Sequence, residues 1–444
     1  MSASYIQLEK NFIKPSYIYT GSVLGFIMGE VNLFFMIFPF SDFFVTFGRW
    51  INLTSVTNAF NSLFAAASVG YLIVAKRVPA KWRNAFFLLL FTAFIVCSYL
   101  WTDSVMQPDA KNAIRRTVFT IFQTLAIVTI LFEKGDEYVF TVLKRFAIII
   151  AIMSTLSIAL FPSESSWTID DSGRKQAFFS SPNNLGQFLS FAFLIINFYK
   201  RTEFKWYIVV LLNAMLIYNA IECDSKTSMS GAIVCVVLYH LRFLIIPFLI
   251  FVIGAGLYLP IYTKKFEKGK AEKIDFAKRD LTFTGRSDVW AIMQRDIKNT
   301  DKATLGFGLG GYWGEKVYHP KANIHQLDWA PHQGHNGYLD IQIHLGLVGL
   351  FLFFLFLIEY FGTIFKKMNN LNITMLFVSV IFCINNITET SFFRGKHFFF
   401  VLLMIFYWYC NFKDKERVVI EEDDEDEVDD KAYRPLQVPA FNKP

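Results

Sequence analysis

The stretch from Thr304 to Leu350 reads TLGFGLGGYWGEKVYHPKANIHQLDWAPHQGHNGYLDIQIHLGLVGL. It opens with a glycine-rich turn, Gly306-Phe-Gly308-Leu-Gly310-Gly311-Tyr-Trp-Gly314. A polar segment carrying His319, His325 and His332 follows, and then His335-Asn336-Gly337-Tyr338-Leu339-Asp340 runs straight into an apolar helix pattern. Dense polar chemistry and a membrane-spanning pattern meet nowhere else in the chain so abruptly. The stretch reads as the mouth of a membrane-embedded site, with the remaining residues as its scaffold.

Working outward, composition agrees. Of 444 residues, 54% are hydrophobic and only 18% charged, with 51 phenylalanines. A soluble domain carries nearer a quarter charged residues. Apolar runs recur near 21–41, 56–75, 84–101, 117–133, 142–161, 185–199, 205–222, 228–241, 243–262, 339–362, 372–390 and 397–412. Backbone groups in lipid must be satisfied within the segment, so such runs predict helices. The fold class expected is an all-α polytopic membrane protein of about twelve transmembrane helices with one large helical outer loop. The domains expected are nine helices over 1–262, the loop over 263–338, three helices over 339–412, and an acidic, disordered cytoplasmic tail over 413–444. Glu421 to Asp430 holds nine acidic residues in ten, a run that repels itself.

Charge sets the orientation. With the N-terminus inside, the inner connections, among them those carrying Lys76, Arg77, Lys134, Lys144, Lys200 and Arg242, are more basic than the short outer ones. Both termini are therefore expected in the cytoplasm. The first apolar run is not followed by a small-residue cleavage site and reads as a retained helix. The five cysteines are scattered, four within apolar runs, with neither disulfide nor metal spacing.

The short outer connections nevertheless place cations at helix ends: Arg115 and Arg116, Arg174 and Lys175, and Lys226. Each alone reads equally as a side chain snorkelling to the interface. Together, on one face, they suggest a shared anionic ligand. In the large loop, Thr284 through Ile297 reads as an amphipathic helix with Thr284 as N-cap and with Arg286 and Trp290 sharing a face. The glycine-rich turn lacks the Gly-Lys-Ser/Thr ending of a phosphate loop, and the histidines lack the His-Glu-x-x-His pattern of a zinc site. No nucleic-acid motif is present. The sequons at Asn52, Asn372 and Asn386 read as chance matches.

Five stretches, in order, resemble the O-antigen ligase family, which includes exopolysaccharide and O-antigen polymerases. They are Trp101 to Arg116; Arg174-Lys175 through Pro182-Asn183-Asn184-Leu-Gly186; Ser225-Lys226-Thr227-Ser228; Gly285-Arg286 through Trp290; and Gly306-Phe-Gly308 with His335-Asn336-Gly-Tyr338-Leu339 before Leu345-Gly346-Leu347-Val-Gly349. The similarity runs from about residue 90 to 410. Polymerase-like members often carry Lys-Asn where this chain has Pro182-Asn183, so that stretch does not assign the branch.

The resemblance implies an inverting glycosyltransferase of the bacterial inner membrane, working on the periplasmic side without metal or other cofactor. The implied partners are an undecaprenyl-diphosphate-linked glycan donor, a saccharide or lipid A–core acceptor, the bilayer, and a chain-length regulator protein. Arg286 and His335 are the expected catalytic residues, His335 as base or as a hydrogen bond to the diphosphate. Arg115, Arg116, Arg174, Lys175 and Lys226 are expected to hold the diphosphate, arginine because its planar fork suits phosphate. Asn336, Tyr338 and Glu389 are expected to support them, Glu389 by pairing with an arginine. The rival class is a transporter of polysaccharide or lipid-linked sugar. Transporters are commonly built from two related halves, and no such repeat is visible between residues 1–220 and 221–444.

Overall fold

In the computed structural model, the structure describes residues 26–37, 54–74, 85–132, 134–135, 137–163, 165–166, 173–200, 203–263, 275–276, 279–280, 286–314, 319–323, 331–366, 370–394 and 397–423. The described residues are helical apart from connections and a two-residue ribbon, Asp275–Phe276 with Arg279–Asp280. In chain order the helices are α1 (Ile27–Ile37), α2 (Thr54–Val74), α3 (Phe86–Cys97, continued by a 3-10 turn, Ser98–Trp101), α4 (Gln107–Phe132), α5 (Tyr138–Leu160), α6 (Pro182–Phe198), α7 (Trp206–Cys223), α8 (Lys226–His240), α9 (Ile245–Thr263), α10 (Arg286–Asn299), α11 (Gly337–Phe365), α12 (Asn370–Thr388) and α13 (Phe398–Asp423). Each apolar run of the sequence lies on one of them, and six are long and apolar enough to cross a membrane. The chain is thus a helical protein with membrane-spanning character.

Burial ranks the helices. In the apolar window of α12, 83% of residues are buried, against 28% for α7 and 22% for the 242–259 window that holds most of α9. The first is therefore a central helix and the other two face outward. α12 packs against α6, α8, α9, α11 and α13. α3 packs on α11, and α4 joins α13 to α1 and α2. Phe-on-Phe contacts knit the centre: Phe353 meets Phe392 at 4.5 Å and Phe91 meets Phe393 at 4.6 Å, both edge to face.

The helix starts follow local chemistry. Ser181 caps α6 through Asn184 N at 3.2 Å, with Pro182 in the first turn where its missing N–H costs nothing. Asn336 caps α11 through Leu339 N at 2.9 Å.

α11 is broken at Gly346, where φ is 66° and ψ −166°. A break in a buried helix leaves carbonyls and N–H groups needing partners. The glycine-rich turn supplies them. Phe307 N and Gly308 N donate to Ile343 O and His344 O at 2.9 and 2.7 Å, while Leu347 N and Val348 N donate to Ala303 O and Thr304 O at 2.9 and 3.1 Å. The two backbones touch at Gly306 and Gly346, both with positive φ, and a Cβ on either would run into the other strand's peptide. The turn thus packs into the helix break, and with it the large loop is anchored to the bundle.

The loop helix α10 begins at Arg286 and buries Val289, Trp290, Ile292, Met293 and Ile297, as its amphipathic pattern predicts. Its expected cap, Thr284, lies outside the described residues, as does the sequon at Asn52. The tail departs from expectation. The helix begun at Phe398 runs on to Asp423, because its helical hydrogen bonding continues past the apolar run. The reading of an unstructured tail from 413 is corrected for that part, and residues 424–444 lie outside the described residues. Asn386, one of the sequons, is buried, and its side-chain oxygen accepts from Ser391 N at 2.8 Å and Phe392 N at 3.2 Å.

Candidate functional site

Alternate connections of the chain converge at one end of the bundle: α5–α6, α7–α8, the large loop between α9 and α11, and α12–α13. Their polar side chains meet around Glu389, just past the end of α12. Arg286 Nη2 lies 2.7 Å from Glu389 Oε1, and His335 Nδ1 lies 3.3 Å from Glu389 Oε2. Asn183 Nδ2 donates to Oε1 at 2.7 Å, and Gln333 Nε2 lies 3.4 Å from Oε2. One carboxylate is therefore shared by four side chains from three parts of the chain. Its side chain is 13% exposed, and that of Arg286 is 19% exposed. Burial pushes the Glu389 carboxyl up. The His335 hydrogen bond, the charges of Arg286 and His335, and the Asn183 hydrogen bond outweigh it and hold the group down at about 2. It is ionised throughout the physiological range, which makes it a poor proton acceptor and a good anchor.

Arg174 is held differently. Its Nε donates to Cys223 O at 3.0 Å and its Nη2 to Asn183 Oδ1 at 2.8 Å. Both acceptors are neutral, so its charge is positioned without being cancelled. Asn183 stands between Arg174 and Glu389, accepting from one and donating to the other, and this fixes its amide orientation. A polar cleft lies beside this network, lined by Asn183, Ser225, Lys226, Thr227, Arg286, Asn385, Thr388 and Glu389. Lys226, the first residue of α8, is exposed there and makes no ion pair with a described residue. Arg394 donates to Gln333 Oε1, which puts another cation at the rim. The close approach of α6 to the start of α8 depends on Gly186, where a Cβ would overlap Ser225.

His335 sits at φ 50°, a left-handed conformation uncommon for a residue with a side chain. Of the six such non-glycine residues described, Ala177, Asp224, His335 and Phe393 all lie in the connections that build this end. Strain of about 1–3 kcal/mol each persists only where surrounding contacts impose it. His335 Nδ1 lies between an acceptor, Glu389 Oε2 at 3.3 Å, and a donor, Gln333 Nε2 at 3.2 Å, so these neighbours orient the ring without fixing its tautomer.

The sequence reading is met unevenly. Arg286, His335, Arg174 and Lys226 come together as expected. Glu389, expected as support, is the hub. Lys175 turns away: its Nζ donates to Pro162 O at 2.7 Å and Ser166 Oγ at 2.6 Å, on the far side of an extended segment bridged to Ser166. Arg115 and Arg116 are exposed on the third turn of α4 and do not line the cleft, although Thr117 beside them bonds Phe393 O at 2.8 Å. Arg115 is held by Asn112 at 3.2 Å. Asn336 and Tyr338 are structural: Asn336 Nδ2 reaches Gly256 O and Ile387 O, and the buried Tyr338 hydroxyl bonds Cys383 O at 3.2 Å. His319 packs edge-on against Phe307 at 4.7 Å, and burial pushes its ring below the ordinary histidine value despite Asp103 nearby. His325 lies outside the described residues, and among those described no three metal-binding side chains converge.

Asn183, Gln333 and Arg394 were given no role from sequence. Arg394 stands three residues before His397. Next to it, His397 is held down at about 3, first by burial and then by the Arg394 charge. Comparison of the chain with models of known protein families and with curated protein sequences finds no match.

Proposed function

We propose that the protein is a membrane glycosyltransferase that moves a glycan from undecaprenyl diphosphate to a saccharide acceptor in cell-surface polysaccharide assembly. The observation that carries this reading is the charge arrangement in the cleft and in the hydrogen-bond network beside it. Arg174 and Lys226 have no carboxylate partner among the described residues, and Arg286 shares its single one with His335. Such a cleft suits a diphosphate, whose oxygens gain up to about 4 kcal/mol from each cation at 4 Å when the effective dielectric constant is near 20. The family resemblance of the five stretches points the same way.

In this reading Arg174, Arg286 and Lys226 bind the diphosphate. The acceptor hydroxyl attacks the anomeric carbon from the opposite face, and the bond from that carbon to the diphosphate oxygen breaks. The leaving diphosphate takes the electron pair under the cations, and the hydroxyl proton passes to the imidazole of His335. Glu389, beside Nδ1, orients that ring. The sugar configuration inverts. The fork of Arg286 supplies two donors where lysine would supply one charge.

The same reading places twelve helices across the bacterial inner membrane, both termini in the cytoplasm and residues 263–338 in the periplasm. Single cysteines at Lys302 and Lys415 of a cysteine-free variant test it. An impermeant reagent applied to intact spheroplasts should label 302 and leave 415 unlabelled, and the reverse would sink the orientation. For the reaction, purified protein in lipid is given lipid-linked repeats alone, in EDTA. Polymerisation, favoured because the Ser225-Lys226-Thr227 stretch and α10 resemble that branch, gives a ladder of lengthened lipid-linked glycan. Transfer seen only once lipid A–core is added makes the protein a ligase. Activity that returns only with divalent metal overturns the metal-free mechanism.

A further inference from the structure

A second carboxylate stands apart from the lining of that cleft and makes no ion pair with a described cation. Asp340, in the first turn of α11, is 4% exposed. Its oxygens accept from Gly334 N at 3.1 and 3.0 Å, from Trp313 Nε1 at 2.9 Å and from the Thr390 hydroxyl. Gly334 directly precedes His335, and Thr390 directly follows Glu389. We infer that Asp340 is the positioning residue of the His335–Glu389 pair, holding each partner through its neighbour in the chain.

The argument is one of constraint. His335 sits in a left-handed conformation that its own side chain disfavours. Its loop must therefore be held from outside, and Gly334 is held on both polar atoms. Asp340 takes its N–H, and Trp290 Nε1 donates to its carbonyl at 2.6 Å. The grip is close: a Cβ on Gly334 would lie 2.7 Å from Asp340 Oδ1 and 2.8 Å from Met293 Cε. On the other side, Gly337 N donates to Glu389 O at 3.1 Å, joining the same helix start to the end of α12. Trp313 ties the assembly to the glycine-rich turn, which is itself stitched into the α11 break. A charged acceptor makes each of these bonds stronger than a neutral one would. Burial makes a missing partner costly. Asp340 thus translates the rigid parts of the fold into the separation of Nδ1 and Oε2, without meeting substrate.

Asp296 provides the control. It is as well buried, in the same loop, and binds the Tyr312 hydroxyl at 2.7 Å and Asn323 N at 2.9 Å, away from the pair. The test compares Asp340→Asn with Asp296→Asn in the full chain in lipid nanodiscs. Hydrogen exchange of the peptide carrying Gly334 and His335 should quicken in Asp340→Asn and stay at the wild-type rate in Asp296→Asn. This arm does not depend on what the protein does. Unchanged exchange in Asp340→Asn overturns the inference.

The kinetic arm rests on the glycosyl-transfer reading. Turnover should fall by about 10–100-fold in Asp340→Asn, with KM for the lipid-linked donor within about twofold, since the cations that bind it are left in place. In a His335→Ala background the same change should cost nothing further, because two residues acting as a unit are not additive. Additive losses make Asp340 merely structural and overturn the inference. A wild-type protein without transfer activity refutes the reaction instead, and the exchange arm still decides the role of Asp340.

Discussion

The two ends of the helical bundle solve the same problem in opposite ways. At the end bearing the connections α4–α5 and α6–α7, the carboxylates of Glu30, Glu137 and Glu203 each meet a lysine. Glu30 meets Lys134 Nζ at 2.9 Å and the Tyr138 hydroxyl at 2.5 Å. Glu137 meets Lys200 at 2.8 Å, and Glu203 meets Lys144 at 3.3 Å. Lys144 also donates to Tyr199 O and Lys200 O at 2.9 and 2.8 Å, satisfying carbonyls at the end of α6. Charge there is closed locally, as a helix end in or near lipid requires. At the other end one carboxylate serves several donors, and Arg174 is held by neutral groups. Matched charges make scaffold; cations held in place but left in excess are what the proposed diphosphate site needs.

The comparison breaks most visibly if the excess cations and His335 prove dispensable. His335→Ala is expected to lower transfer by about 10²–10⁴-fold, the range for losing a positioned base, with normal protein in the membrane. Arg286→Ala should lose about 10²–10³-fold, and Arg286→Lys should recover only part of it. Full activity of both alanine variants at normal expression would remove the site assignment.

Glu389→Gln sharpens the comparison further. It strips the shared anchor from Arg286 and His335, and removing one partner of a buried pair costs about 3–5 kcal/mol. Thermal unfolding of the variant should come at lower temperature and its turnover should fall, whereas a merely paired carboxylate would change stability alone. Lys144→Met at the opposite end should do only the latter. It leaves buried carbonyls unsatisfied at about 1–3 kcal/mol, and turnover per folded molecule should match the wild type.

The two ends should also respond to opposite extremes of pH. The Glu389 carboxyl sits below its ordinary 4.5, so its contribution is present above that value and is lost as pH falls towards about 2. The stability gap between wild type and Glu389→Gln should therefore close on the acid side. Burial lowers the Lys134 ammonium, but the hydrogen bond and charge of Glu30 outweigh this and raise it above its ordinary 10.5. Its contribution is present below that value and is lost as pH rises through the raised one, so the gap to Lys134→Met should close on the alkaline side. A constant gap in either titration would contradict the corresponding assignment. The smallest effect expected is that of Lys175→Ala, within about twofold in transfer, because that lysine is tied to Pro162 and Ser166, away from the cleft. A large loss there would return Lys175 to the diphosphate site.

How far the sequence reached follows from the range of the forces involved. Hydropathy runs and capping residues act over a few neighbouring positions, so the helices, the buried face of α10 and the start of α11 at Asn336 were all legible in the chain alone. Arg174 and Lys226 were singled out as cations at helix ends, and Arg286 and His335 through the family resemblance. Which of the adjacent pair Arg174 and Lys175 joins the Asn183–Glu389 network was not legible, since neighbours on an extended segment point to opposite sides. Nor was the hub. Asn183, Arg286, Gln333 and Glu389 are far apart in sequence, and only the packing of α6, α10 and α11 around α12 brings them within hydrogen-bond distance. Sharing one carboxylate among several donors is a property of that meeting, because a hydrogen bond exists only at a distance and angle that no local pattern records. The sequence by itself determined where the helices lie and which charges stand at their ends; tertiary structure decided which charges are cancelled and which are left for a ligand.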